Sequence, residues 1–158
     1  MNQKYEFTGE TMRHFGRTLH RIKALENFGD VKKGDLGGWI ESEDNLSASG
    51  NAWVSDDAKV FDNAWVFGDA WISDDAQVSG DARVSGQYDY ISIGSIGRRG
   101  DTTTFFRLKQ GGIGVKCGCF IGKIDEFEKA VHKTHAGNEH EKAYMAAIRM
   151  AKEVVIHD

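Results

Sequence analysis

The chain has 158 residues, with 24 Asp and Glu against 20 Lys and Arg, 19 glycines, two cysteines and no proline. That length holds one domain or two small ones sharing a core. No apolar run approaches the ~20 residues that span a bilayer, and MNQKYEFTGE lacks an apolar signal core, so a cytoplasmic protein with no membrane partner is expected.

Residues 3–9 (QKYEFTG) predict a short strand. Leu19 to Leu25 suits a second strand, with a short helix as the alternative, and turns are predicted at Asn27–Gly29, Lys33–Gly34 and Gly37–Gly38. Residues 1–47 are thus expected to form an N-terminal strand cap. From residue 48 to 87 the sequence repeats every six residues. Ala52, Ala58, Ala64, Ala70, Ala76 and Ala82 form one column, and Val54, Val60, Val66, Ile72, Val78 and Val84 a second, two residues later. Ala-x-Val alternates as a strand does, so both apolar residues share a face. Gly-Asp, Asp-Asn and Asp-Asp supply the corners. With three hexads per turn of the chain, residues 18 apart stack, and stacking buries what one repeat cannot.

That register sends Trp53, Phe61, Trp65, Phe67 and Trp71 outward. Left wet, they would make an unusually large apolar patch for a monomer. They are expected to be covered by other parts of the chain or by a second copy, which makes a homo-oligomer the expected state. The repeat is also the acidic part of the chain. Residues 41–87 carry ten Asp and Glu against two Lys and Arg, which argues against direct nucleic-acid binding, since phosphates would be repelled.

Beyond residue 88 the period changes. YDYISIGSI, TTTFFRLK and IGVKCGCF predict three strands, the last two joined by a turn at Gln110–Gly112. A helix capped by Asp125 follows, with Ile124, Phe127, Ala130 and Val131 apolar around it. A second helix runs from Glu139 to Val155, with Ala143, Tyr144, Ala147, Ile148, Ala151 and Val155 as its apolar stripe. Residues 88–158 are therefore expected to be an α+β module of a three-stranded sheet and two helices.

The hexads resemble the left-handed parallel β-helix of the hexapeptide-repeat superfamily. LHRIKAL, GDLGGWIE and NLSASGNAWV with the repeat are similar to short hexapeptide-like proteins of phages and bacteria, while GSIGRRGDTTTFF, CGCFIGKIDEF and THAGNEHEKAY are similar to a C-terminal module that accompanies such repeats. Together these cover residues 19–150. The resemblance implies a mainly β fold built on a left-handed parallel β-helix of two to three coils, a phage or mobile-element origin, and no assigned biochemistry. The handedness follows from the resemblance alone.

Hexapeptide acyltransferases look alike in using a His base and an acyl-CoA. The repeat here has no His: His14, His20, His132, His135, His140 and His157 all lie outside it. The best candidate for binding is the stretch from Gly94 to Thr104. Arg98 and Arg99 can fork onto phosphate, and Asp101, Thr102, Thr103, Thr104 and free backbone N–H groups could complete an anion site. The competing reading is a hairpin loop in which Asp101 pairs with an Arg. His135, His140 and Tyr144 surround the start of the last helix, whose N-terminus could take an anion in the same role; helix capping and packing is the alternative. Cys117 and Cys119 share one side of a strand, as structural thiols, a metal pair needing His132 or His135, or a nucleophile beside His135. The acidic corners (Asp56, Asp57, Asp62, Asp69, Asp74, Asp75 and Asp81) are turn-formers, or a DNA-mimicking surface.

The functional expectation is binding and not catalysis, with no cofactor and no metal. The partner would be a host protein, as for an anti-defence inhibitor, or a phosphate-bearing small ligand. An acyltransferase and an acidic DNA mimic remain the alternatives.

Overall fold

A computed structural model describes residues 2–155. The fold is mainly β, with two helices at the C-terminal end. His157 lies outside the described residues.

The chain opens on a long antiparallel hairpin, β1 (Tyr5–His14) and β2 (Arg17–Ala24), joined by a tight turn at Phe15–Gly16. Next, β3 (Leu36–Ile40) pairs antiparallel with β2 and parallel with the hexads. The turn expected at Gly37–Gly38 is therefore part of a strand. The reason is steric: a Cβ on Gly38 would sit 2.6 Å from the Ala58 carbonyl oxygen and 2.8 Å from Val54 Cγ1, so only glycine lets β3 lie this close to the next layer.

Each hexad contributes a strand of two residues: β4 (Trp53–Val54), β5 (Lys59–Val60), β6 (Trp65–Val66), β7 (Trp71–Ile72), β8 (Gln77–Val78) and β9 (Arg83–Val84). Strands 18 residues apart pair in parallel, with Val54 beside Ile72, Val60 beside Val78 and Val66 beside Val84. Both apolar columns are fully buried. Asp56, Asp62 and Asp74 turn the corners at positive φ, between 55° and 60°, a conformation Asp tolerates better than most residues.

The expected single left-handed parallel β-helix is nevertheless corrected. The largest sheet is mixed, in the order β1-β2-β3-β5-β8, with two antiparallel and two parallel ladders; the second is the antiparallel sheet of the C-terminal segment. Among the described residues, β4–β7 and β6–β9 alone stand as separate parallel pairs. The physical reason is that a two-residue strand leaves edges open. On one side the N-terminal hairpin extends that edge as a sheet, where a cap over an open end was expected. One apolar core accordingly joins Tyr5, Ile22 and Ile40 to the hexad columns and to Phe106 and Leu108.

The C-terminal sheet has four strands where three were expected: β10 (Tyr90–Ile96), β11 (Asp101–Arg107), β12 (Ile113–Cys117) and β13 (Phe120–Lys123), antiparallel and in chain order. The extra strand arises because Gly118, at φ 55°, turns the chain between Cys117 and Phe120. Alternation along β11 divides its side chains between two faces. Thr104 and Phe106 face the hexads, whereas Thr103 and Phe105 face helices α1 (Ile124–His135) and α2 (Glu139–Val154). The residue N-capping α1 is Lys123; Asp125 lies in its first turn.

Candidate functional site

A cavity of about 600 Å³ opens between the helix-facing side of the C-terminal sheet and the junction of the two helices. Four segments build it. The β10–β11 turn brings Arg98 and Arg99, β11 brings Asp101, the β12–β13 turn brings Cys117 to Phe120, and the helices bring Phe127, His135, His140 and Tyr144.

Tyr144 is the pivot. Burial and the neighbouring Cys117 thiol push its phenol above the ordinary tyrosine range, so it stays protonated at neutral pH. The Cys117 thiol lies 3.8 Å from its oxygen and itself accepts a hydrogen bond of 3.2 Å from the Thr103 hydroxyl. The Tyr144 ring is roughly parallel to His135 and edge-on to Phe127. Gly97, at φ 83°, lies directly over this phenol: a Cβ there would fall on the hydroxyl and 2.6 Å from Cζ. The glycine thereby lets the arginine-bearing turn rest against α2, and the turn itself is closed by a 3.1 Å bond from Gly100 N to Gly97 O.

Arg98 and Arg99 are exposed at the rim of the cavity. Among the described residues neither has an ion-pair or side-chain hydrogen-bond partner, so the pairing of Asp101 with an arginine is not formed. Two guanidiniums beside a concave, largely apolar wall have the charge and the paired N–H donors with which an anion can be bound.

Of the nine residues expected to bind ligand, six line this cavity: Arg98, Arg99, Asp101, His135, His140 and Tyr144. The three threonines do not. Thr103 and Thr104 are fully buried; Thr104 accepts a 2.9 Å bond from Gln77 N on the hexad side, and Thr102 lies beside Gly94. The strand expected from TTTFFRLK is present, as β11 from Asp101, and it turns the Thr103 and Thr104 side chains into the packing on its two faces and away from the cavity. The N-terminal N–H groups of α2 are also engaged, since the Asn138 side chain accepts from His140 N and Glu141 N at 2.9 and 3.1 Å. Residues that sequence reasoning left out of the site are Phe120 and Phe127. Their signal was weak, because Phe127 read as the apolar side of its helix and Phe120 as the end of the strand IGVKCGCF.

The remaining candidates are placed elsewhere. His132 pairs with Glu141 at 2.7 Å outside the cavity lining, and no group of three or more His, Cys, Asp or Glu among the described residues is arranged to hold a metal. The acidic corners serve the backbone: Asp56 accepts from Asp74 N, and Asp62 accepts from Gly80 N while pairing with Arg17. Of the aromatics expected at an interface, Trp53 and Phe61 are buried within the chain itself. Trp53 is covered by Tyr5 and Phe28, and Phe61 by Leu19, Trp39 and Met12. Trp65 and Trp71 remain about 40 % exposed, and Trp65 stacks on Phe67 with ring centroids 4.0 Å apart.

Comparison with family models and with curated proteins gives no match. With mixed and antiparallel sheets in the fold, the resemblance to hexapeptide-repeat proteins of phages and bacteria is corrected as well. No described helix is long and apolar enough to cross a membrane.

Proposed function

We propose that this protein binds a small phosphate-bearing ligand in the C-terminal cavity, without transforming it. The observation that carries this reading is the unpaired Arg98–Arg99 turn held at the rim of a concave wall. An unpaired guanidinium can give two parallel hydrogen bonds to one phosphate, and two adjacent ones can hold a dianion. The hexads and the N-terminal sheet act as the rigid support beneath.

The test is thermal unfolding of the whole protein with inorganic pyrophosphate, ribose 5-phosphate and the four ribonucleoside monophosphates at millimolar concentration. A ligand present at 100 times its Kd adds about 2.7 kcal/mol of stability. The reading expects at least one compound to raise the midpoint, and Arg98→Ala with Arg99→Ala to abolish the rise. Both side chains are exposed, so the fold tolerates their removal. A rise that survives the double substitution removes the turn from the site; no rise with any of the compounds removes the reading.

Two finer features belong to the same proposal. The stacked Trp65–Phe67 pair supports assembly with a second copy of the chain. The free thiols Cys117 and Cys119 support a reducing compartment such as the cytoplasm.

A further inference from the structure

The wall of the cavity has an order that its charge alone does not explain. Phe120, Phe127, Tyr144, His135 and His140 all line it, and they form one unbroken run of ring contacts. Centroid separations along the run are 5.2 Å (Phe120–Phe127), 5.6 Å (Phe127–Tyr144), 5.6 Å (Tyr144–His135) and 5.4 Å (His135–His140). The five rings come from three elements: β13, α1 and α2.

Packing needs account for only part of this run. Phe127 and Tyr144 are largely buried and belong to the core between sheet and helices. Phe120 is only half-buried, as are His135 and His140, so these three offer ring surface to the cavity. The arginine turn meets the run at its midpoint, where Gly97 rests on the Tyr144 hydroxyl. A molecule whose phosphate lies on Arg98 and Arg99 therefore has its remainder directed along a surface of rings.

We propose that the ligand is a phosphate ester carrying a planar heteroaromatic ring, of the size of a nucleoside monophosphate. This inference rests on the reading of the cavity as a phosphate site. A sugar phosphate alone would satisfy the arginines and leave the ring surface in contact with water. A planar base covers that surface by stacking, which is worth more than a contact with a flexible aliphatic group of similar area. The cavity, at about 600 Å³, has room for base, sugar and one phosphate.

The experiment is titration calorimetry of the whole protein with AMP, GMP, CMP and UMP, against ribose 5-phosphate, which shares their sugar and phosphate and lacks the ring. At least one nucleotide is expected to bind about tenfold or more tighter than ribose 5-phosphate. Phe120→Ala is expected to remove most of that advantage and to leave ribose 5-phosphate binding unchanged. Because Phe120 also touches Phe127, Phe120→Leu serves as the variant that keeps bulk and loses the ring, and it is expected to behave in the same way. If ribose 5-phosphate binds as tightly as every nucleotide, the ring inference is overturned while the phosphate site stands. If both Phe120 variants weaken ribose 5-phosphate and nucleotides equally, the ring inference is likewise overturned. If no phosphate compound binds, the underlying reading falls and this inference with it.

Discussion

Replacing Phe61 by Ala tests whether the N-terminal sheet belongs to the core of the molecule or merely lies upon it. Phe61 points away from the hexad columns, yet only 1 % of it is exposed, because Leu19 of β2, Trp39 of β3 and Met12 of β1 close over it and the His14 ring packs edge-on at 5.4 Å. Removing a buried phenylalanine ring costs about 3–5 kcal/mol through lost transfer energy and the cavity left behind. Unfolding entropy near 60 °C is about 2.1 cal/mol/K per residue, or roughly 330 cal/mol/K for a chain of this length, so the midpoint should fall by about 9–15 °C. Trp65→Ala is the control. Its side chain also points outward, but it is 39 % exposed and stacks only on its neighbour Phe67 among the described rings, so its loss should cost about 1 kcal/mol, or some three degrees. Melting curves by circular dichroism, checked by calorimetry, give both numbers. A Phe61→Ala midpoint within about five degrees of wild type, or no lower than that of Trp65→Ala, would refute the assignment of β1–β3 to the core.

Gly38→Ala places a Cβ 2.6 Å from the Ala58 carbonyl oxygen, and urea unfolding should show a loss of about 2 kcal/mol; a neutral result would mean that β3 is free to move off the hexads. Gly97→Val drives a side chain into Tyr144, so it should lift the arginine turn and abolish phosphate-ligand binding in calorimetry while leaving the main thermal transition within a few degrees. The hydrogen bond that His132 donates to the Glu141 carboxylate raises the imidazole above its ordinary 6.5, and the same contact lowers Glu141 below 4.5. The His132 contribution is therefore present below pH 6.5 and fades as pH rises through the elevated folded value, while that of Glu141 is present above 4.5 and fades as pH falls through its lowered value. NMR titration should show the His132 midpoint dropping in Glu141→Gln, and an unchanged midpoint would show that the contact does not form in solution. Light scattering should report an assembly larger than one chain whose mass drops in Trp65→Ala; a wild-type monomer would remove the interface.

The hexad register was legible because two constraints acted on the same residues. Strand alternation put Ala and Val on one face, and Gly and Asp corners fixed the spacing, so partners 18 apart followed. What joins to those hexads was not legible. A two-residue strand carries no information about its neighbours, and Gly37–Gly38 reads as a turn in any local analysis although the close approach of β3 is what requires it. The same limit applies to the cavity. Arg98 and Arg99 stood out as charges without apolar surroundings, and His135, His140 and Tyr144 as a cluster near one helix start. Phe120 was hidden because its element, β13, depends on a turn at Gly118 that could equally have ended the sheet. The threonines misled although their strand was legible, since TTTFFRLK does not say what packs on either face of the strand and so takes up the Thr103 and Thr104 hydroxyls.

Gln77 marks where the three parts of the chain lock together. Its side-chain oxygen lies 2.8 Å from His14 Nε2 on the N-terminal hairpin, its backbone ladder joins Lys59 within the hexads, and its amide donates to Thr104 in the C-terminal sheet. Breaking any one of these regions away exposes polar groups that only another region satisfies. Partial openings that free this amide are therefore nearly as costly as unfolding the whole chain. In native-state hydrogen exchange the Gln77 amide should be among the slowest in the molecule, exchanging at the rate set by global unfolding, whereas amides of the Gly97–Gly100 turn exchange through cheap local fluctuations. That outcome would set a slow-exchanging centre against a faster rim at the place where the proposed ligand enters.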